Sequence, residues 1–358
     1  MHLPENPAGE RPLADPGRIV PTCADSHVGT IRKSRWACGP RLSEGPLGGK
    51  RMKINHRIPL NGNDPFWKYI QLLGLPIDRG NIRYSQTGDG TDLIWVLNVT
   101  EDNPVWPKVE HLLAEHRILT QVNNIFTEAE MNSAEWFLVS ALGHHGYPQP
   151  EDDFGYIDVT YESGSCCPVC RIGKVQVAPF RLRTEPKASH SQFLQLNWVF
   201  DELFVRATAR EGLISAGITG IKFLAPVLHK RNTPSEQIVQ IKIQTILVDA
   251  LDTTGFQPVT CKSMNEEWRP NKWITPDKES NRPFCGRIKY HSMHRGPYRF
   301  AREAFIGVPD LVKSTEWFGS GGGAFRRIIA SQRFRQVVTE AKWRGLRFEP
   351  IEIINEHT

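Results

Sequence analysis

Two cysteines three residues apart are the strongest chemical signal in this chain. The stretch Ser165-Cys-Cys-Pro-Val-Cys-Arg-Ile-Gly-Lys174 contains a Cys-x-x-Cys pair, Cys167 and Cys170, with Pro after the first thiol. This spacing is typical of a zinc knuckle, in which a tight turn between two short strands points two thiolates at one tetrahedral metal ion. Because two ligands make only half of such a site, the pattern predicts that the other two come from elsewhere in the chain.

The next thiols along the chain are Cys261 and Cys285, which are far from the pair in sequence. Cys285-Gly286-Arg287 resembles the second half of another knuckle, but Arg282 stands where the first cysteine of that knuckle would be. We predict a four-thiolate structural zinc site, with histidine as an alternative ligand because imidazole also binds zinc. The predicted ligands are Cys167, Cys170, Cys261 and Cys285, with His291 and His294 as alternates.

Two other interpretations of the cysteine pair stay open. In the first, the site has lost its metal and the thiols are buried as small hydrophobic groups. In the second, the Cys-x-x-Cys pair is redox-active, which usually requires a helix N-terminus to stabilise a thiolate, and none is predicted after Cys170. Cys166 is an additional thiol directly beside the pair.

Catalytic patterns are few and each has a structural explanation. Gln240-Ile-Lys242 resembles the Gln/Glu-x-Lys element of restriction-type nucleases, but residues 219–227 offer no acidic residue to bind the metal. His144 and His145 are predicted to cap a helix C-terminus, because adjacent residues point to different faces. Asp201-Glu202 is explained by capping of a predicted helix from Asp201 to about Ala216.

Charge and composition narrow the class of protein. The chain has 358 residues, 39% of them hydrophobic, and a net charge of only +5, so composition does not demand nucleic acid. Seven cysteines are too few for a disulfide scaffold, and no long apolar run predicts a membrane span. We therefore expect a cytoplasmic protein that does not enter membranes. Near the C-terminus, four arginines predict a basic patch, either a solvated helix face or a site for an acidic partner: Arg326, Arg327, Arg333 and Arg335.

The predicted organisation is α+β with three parts. Residues 1–51 are rich in Pro, Gly, Arg and Ser and are predicted to be a disordered tail or a mis-annotated start before Met52. Residues 52–150 are predicted to form a small α/β domain, in which a capping box at 127–130 starts a helix carrying residues 136–141. Residues 151–358 are predicted to form a larger α+β domain that contains the knuckle, between strands at 157–161 and 174–183.

An internal repeat lies within the larger predicted domain. Residues 216–227 and 341–351 both read Gly-apolar-basic-Phe followed by Pro, and each follows an amphipathic helix. The pattern predicts two strand–helix–strand units, at 196–227 and 325–351. Gly220 and Gly345 are predicted to supply the backbone freedom that each helix-to-strand turn needs.

These motifs together resemble a known bacterial family. Residues 155–353 are similar to the double-CXXCG-motif paralogous family of myxobacteria and to the related immunity proteins of polymorphic toxins. The matching stretches are Cys167-Pro-Val-Cys170, Phe200-Asp-Glu-Leu-Phe204, Gly217-Ile-Thr-Gly-Ile-Lys-Phe223, Cys285-Gly286-Arg287, Asp310-Leu-Val-Lys-Ser-Thr-Glu-Trp-Phe318 and Ile328-Ile-Ala-Ser-Gln-Arg-Phe334. The chain departs from the family pattern at Arg171, where the family has Gly, and at Arg282, where it has Cys.

The resemblance implies a non-enzymatic cytoplasmic binding protein, an immunity protein that neutralises a cognate toxin, with zinc holding only its fold. A zinc-knuckle nucleic-acid-binding protein is the first alternative, and a metal-dependent nuclease that uses Lys242 is the second. For a protein partner, aromatic anchors are expected near loops. The candidates are Trp268, Trp273 and Trp317.

Overall fold

The fold is mixed α+β, as the sequence predicts, and consists mostly of strands. The computed structural model describes residues 52–355 except 62–64, 75–76, 87–89, 117, 119, 168–169, 188–189, 261–285 and 320–322. The predicted tail at 1–51 therefore lies outside the described residues, as do Arg282, Trp268 and Trp273. In the described part of the chain, no helix is long and apolar enough to cross a membrane.

The N-terminal part is a four-stranded antiparallel sheet with two helices packed on it. Its elements are β1 Lys53–Asn61, α1 Pro65–Leu72, β2 Ile77–Gln86, β3 Gly90–Thr100, α2 Trp106–His116 and β4 Gln121–Ile125. The strand order is β2-β3-β1-β4. Apolar side chains that alternate along β1 and β3 meet the helices in one core: Ile58, Ile70, Leu97, Val99, Trp106, Val109 and Leu113.

The larger part begins with a helix and a strand where one longer helix is predicted. The capping box is present: Thr127 Oγ1 accepts from the Glu130 backbone N–H, and the Glu130 side chain accepts from the Thr127 N–H. The helix α3, Glu128–Ser133, nevertheless ends before the apolar run, which forms β5, Trp136–Ala141. The prediction was wrong here because a six-residue apolar run fits either a strand or a helix, and distant strand partners decide between them.

The remaining elements follow in chain order. They are α4 Tyr156–Thr160, β6 Arg181–Leu182, β7 Phe193–Leu196, β8 Val199–Arg206, α5 Ala207–Ser215, β9 Ile221–Leu224, β10 Val227–Leu228, β11 Thr233–Pro234, β12 Ile238–Ile243, β13 Pro258–Thr260, β14 Ile288–Tyr290, β15 Arg299–Ala301, β16 Leu311–Phe318, β17 Phe325–Ser331, α6 Gln332–Glu340, β18 Leu346–Pro350 and β19 Glu352–Ile354. They form sheets ordered β7-β8-β12-β9, β13-β14-β16-β17-β5-β18, β11-β10-β6 and β15-β19. Since β5 lies between β17 and β18, the largest sheet begins before the boundary that we predict near residue 150.

Both predicted repeat units are strand–helix–strand. In the first unit β8 and β9 flank β12, and in the second unit β17 and β18 flank β5. In each unit the middle strand is antiparallel to both of its neighbours. The first helix begins at Ala207 and not at Asp201, because residues 199–206 hydrogen-bond to β7 and β12 as a strand.

The two units meet through reciprocal glycine contacts. Gly220 has φ +83°, and a Cβ there would stand 2.5 Å from the Leu311 carbonyl oxygen at the start of β16. Gly345 has φ +112°, and a Cβ there would stand 2.3 Å from the Phe193 carbonyl oxygen at the start of β7. Gly220 of the first unit therefore lies against β16, the strand that precedes the second unit, and Gly345 of the second unit lies against β7, the strand that precedes the first unit. One hydrophobic core joins both units.

Candidate functional site

The cysteine pair lies in a tight turn, as its spacing predicts. The Cys167 N–H donates to the Ile172 carbonyl at 3.0 Å, and the Arg171 N–H donates to the Cys167 carbonyl at 2.9 Å. Arg171, where the family pattern has Gly, has φ 62°, in the left-handed region that favours glycine. Both cysteines are buried in a small cluster with Ile172, Val259, Trp317 and Ala324.

The segments that flank this turn differ from the two predicted strands. Residues 156–160 form the helix α4, and within the predicted strand at 174–183 Gln176 forms a bridge with Tyr161 while Arg181–Leu182 form β6. The Glu162 N–H donates to the Val175 carbonyl, and the Val177 N–H donates to the Thr160 carbonyl. We call residues 160–178 the knuckle hairpin.

The knuckle hairpin packs where β13 and β14 adjoin the segment 261–285. Val259 of β13 contacts the cysteine cluster. The Arg287 guanidinium lies so close to Gly173 that a Cβ there would stand 2.5 Å from Nη1. Cys261 and Cys285 lie outside the described residues, but they are joined in sequence to these two contact points. The cysteine pair therefore packs on Val259, and the turn that carries it lies against Arg287.

In the described part of the chain, the alternate ligands His291 and His294 are not grouped with Cys167 and Cys170. Among the described residues, no three or more His, Cys, Asp or Glu side chains are grouped to hold a metal ion. The His291 N–H donates to the Gln257 carbonyl, at the end of β13 remote from residue 261. The His294 ring stacks on Phe256 at 4.1 Å, and burial lowers the pKa of both imidazoles.

Zinc analysis tests the predicted metal site directly. Two buried thiols three residues apart fit half of a thiolate zinc site. We expect freshly reduced protein to hold about one equivalent of zinc. The Cys170→Ser variant should hold much less than wild type, while Cys166→Ser serves as the matched control and should retain its zinc. Less than half an equivalent in the wild-type protein would contradict the site.

Polar side chains of the knuckle hairpin point inward, toward β8 and β12. Lys174 Nζ lies 3.1 Å from Asp201 Oδ1. The Gln176 and Gln240 side-chain amides hydrogen-bond to each other at 2.8 and 2.7 Å. Gln240 Nε2 also donates to Glu202 at 3.0 Å. These contacts attach the hairpin to the sheet through a buried polar network.

Two adjacent buried carboxyl groups anchor that network. Glu202 Oε1 lies 2.5 Å from Lys313 Nζ, and both side chains are buried. Burial raises the pKa of Asp201, but Lys174 and Lys313 outweigh it and hold the pKa below its usual value. Burial raises the pKa of Glu202 above its usual value, and Lys313 offsets this only in part. The prediction that capping and solvation explain this acidic pair is therefore wrong, because both side chains are buried and ion-paired.

The same network bears on the nuclease hypothesis. Glu202 is an acidic residue that hydrogen-bonds to Gln240 from the neighbouring strand, and it lies outside residues 219–227, where the nuclease hypothesis expects one. However, Glu202 is paired with Lys313, and Lys242 Nζ donates to the Gln176 carbonyl at 3.3 Å. Both groups that the nuclease hypothesis needs are engaged in structural contacts, so this geometry does not favour metal-dependent cleavage.

The outer face of the knuckle hairpin is apolar. Val175 and Val177 are 51% and 64% exposed, and Val159 of the preceding helix is also exposed. Asp158 and Glu162 are exposed beside them. The sequence predicts a strand at 174–183 but not which of its faces is buried, and the polarity of residues 174–177 is the reverse of a normal half-buried strand. No local signal could have revealed this, because the polar partners lie on other strands.

The remaining sequence candidates serve structural roles. His144 and His145 follow β5 and not a helix, so the predicted helix cap was wrong; burial, and then the neighbouring His145, lower the pKa of His144. Trp317 is buried and lies 4.6 Å from the Arg326 guanidinium, so it is not a surface anchor.

The four C-terminal arginines do not form one patch. Arg326 stacks on Trp317, and Arg327 donates to the Ser292 carbonyl. Arg333 pairs with Asp310, whereas Arg335 approaches Asn132. Adjacent residues on a strand point to opposite faces, which separates the first two arginines.

Comparisons with known proteins add no identity. No family model matches the chain, and no curated protein matches it. The resemblance to the double-CXXCG family therefore stays a prediction.

Proposed function

We propose that this chain is a non-enzymatic protein-binding protein and that the outer face of the knuckle hairpin contacts its partner. The observation that carries this proposal is the reversed polarity of residues 174–177. Lys174 and Gln176 point inward and are paired, while Val175 and Val177 point into solvent.

The energetics favour covering this face. Burying a valine side chain is worth about 1.5–3 kcal/mol relative to leaving it exposed. The inward polar groups would be costly without hydrogen bonds, but here the network supplies them. A free hairpin thus gains nothing from its outward valines, whereas a bound hairpin does. Clustered exposed apolar residues of this kind mark contact surfaces more often than isolated ones do.

The surroundings of the valines indicate the chemistry of the partner. Asp158 and Glu162 are exposed next to Val159 and Val175. A complementary partner surface is apolar at its centre and basic at its edge. Together with the family resemblance, this supports an immunity role, in which the chain binds a basic bacterial toxin in the cytoplasm. The predicted zinc would then hold the rigid turn that presents the valines.

The test uses the protein encoded by the neighbouring gene as the binding probe. We expect the double variant Val175→Thr/Val177→Thr to bind it roughly 10- to 100-fold more weakly, because each hydroxyl must be desolvated on binding. Val248→Thr is the matched control, since Val248 is 75% exposed at a site distant in sequence. Equal affinities for the double variant and wild type, or no binding by wild type, would overturn the proposal.

A further inference from the structure

We infer that a second surface of this chain binds the phosphate backbone of duplex nucleic acid. It consists of four basic residues, which we call the basic surface: Lys187, Arg206, Lys342 and Arg344. Lys187, Lys342 and Arg344 are exposed, and Arg206 is half-buried. This surface is separate from the knuckle hairpin in sequence, and the sequence analysis did not identify it.

Backbone contacts hold the members of the basic surface together. Arg206 donates from Nη2 to the Lys187 carbonyl at 2.9 Å and from Nε to the Ser191 carbonyl at 3.1 Å. The Arg344 carbonyl accepts from the Gln192 N–H at 2.8 Å. These contacts place residues 187–192, Arg206 and Arg344 side by side, and Lys342 is two residues before Arg344 in the chain.

These charges lack neutralising partners within the described chain. None of the four basic side chains forms an ion pair with a described carboxylate. Arg206 instead binds carbonyl oxygens, which orient its guanidinium and leave its positive charge uncompensated. Like charges on neighbouring segments repel one another unless an anion binds among them.

The internal repeat provides a comparison within the same molecule. Arg206 and Ser331 occupy equivalent positions before the helices of the two units. In the second unit the Asp310 carboxylate accepts from Ser331 and pairs with Arg333. The residue of the first unit that is equivalent to Asp310 is the neutral Gln192. The Arg206 N–H donates to the Gln192 carbonyl in the same way as the Ser331 N–H donates to the Asp310 carbonyl. The second unit is thus neutralised internally, and the first is not.

The chemistry of the basic surface fits phosphate better than a protein partner. The core of a protein interface is apolar, whereas nucleic-acid interfaces are polar and strongly positive. No large apolar side chain is exposed among the described residues of 187–192 and 342–345. Trp343 packs against Phe193 and so offers no open platform for stacking an unpaired base, which favours a duplex over a single strand.

The test is fluorescence anisotropy of a labelled 20-base-pair duplex titrated with the full chain at several salt concentrations. For four neutralised phosphates we expect a slope of about −3.6 in log K against log salt and a Kd on the order of 10⁻⁴–10⁻⁶ M at physiological salt. Lys187→Gln/Arg344→Gln should reduce the slope to about −1.8. Lys53→Gln/Lys108→Gln removes the same net charge from the N-terminal part and should leave the slope unchanged.

Three outcomes would overturn the inference. The first is no duplex binding at about 50 mM salt, the low end of the range in which such contacts are readily measured. The second is an equal slope for the two double variants. The third is binding of poly-glutamate but not of the duplex. The last result would identify an acidic protein partner. The Val175→Thr/Val177→Thr variant should bind the duplex normally, so failure here and failure of the proposed protein-binding role are distinguishable.

Discussion

Replacing Lys313 by Met should lower the free energy of unfolding by about 3–5 kcal/mol, the usual cost of removing one partner of a buried ion pair. Lys313 Nζ lies 2.5 Å from Glu202 Oε1 with both side chains buried, so the variant leaves a carboxylate without its cation. Chemical denaturation of both proteins measures the difference. Lys222→Met is the matched control, since Lys222 is exposed on β9.

A second variant separates loss of the ion pair from loss of packing. Lys313→Met/Glu202→Gln removes both charges while keeping the shape and the hydrogen bond to Gln240. It should recover much of the lost stability, because the uncompensated charge is gone. A Lys313→Met loss below about 1 kcal/mol, or no recovery in the double variant, would show that the pair is not energetically important.

The loss of stability in Lys313→Met should depend on pH in a defined direction. Burial already raises the pKa of Glu202 above its usual value of 4.5, so ionising it in the folded protein costs stability as pH rises above that value. Removing Lys313 raises this pKa further. The deficit of Lys313→Met relative to wild type should therefore be largest near neutral pH and should shrink as pH falls toward 4.5. Denaturation at three pH values checks this, and a deficit that grows in acid would contradict it.

Gly345→Ala should also lower the free energy of unfolding by about 3–5 kcal/mol, because the costs of backbone strain and of overpacking add. At φ +112° an L-residue is strained, and its Cβ would stand 2.3 Å from the Phe193 carbonyl oxygen. That oxygen belongs to β7, so relief requires the two repeat units to move apart. Thermal and chemical denaturation of the variant measure the effect.

A glycine without such a neighbour separates strain from overpacking. Gly307 has φ +69°, and nothing lies within 4 Å of an added Cβ. Gly307→Ala should therefore lower the free energy of unfolding only by the strain of a left-handed backbone, about 1–2 kcal/mol. Equal losses for the two alanine variants would mean that the contact between the units contributes little.

Local sequence patterns predicted much of the fold. The Cys-x-x-Cys spacing predicted the tight turn, the Thr127–Glu130 pair predicted a capped helix, and the two Gly-apolar-basic-Phe segments predicted the repeat. Each succeeds because the responsible interactions lie within a few residues, or because the same local pattern occurs twice.

Patterns whose meaning depends on distant partners were misread. The run 136–141 became a strand because β17 and β18, nearly two hundred residues away, hydrogen-bond to it on both sides. Asp201 entered a buried ion pair because Lys174 lies opposite it, and not because it starts a helix.

Local chemistry can be predicted from the sequence of this protein: a thiol turn, two repeated units and the glycines at their turns. Contacts between distant segments are needed to fix which face of the knuckle hairpin is buried and which basic residues lie on neighbouring segments. This is because alternation along a strand is symmetric with respect to its two faces. Lys174 and Gln176 point inward only because Asp201 and Gln240 are there to receive them.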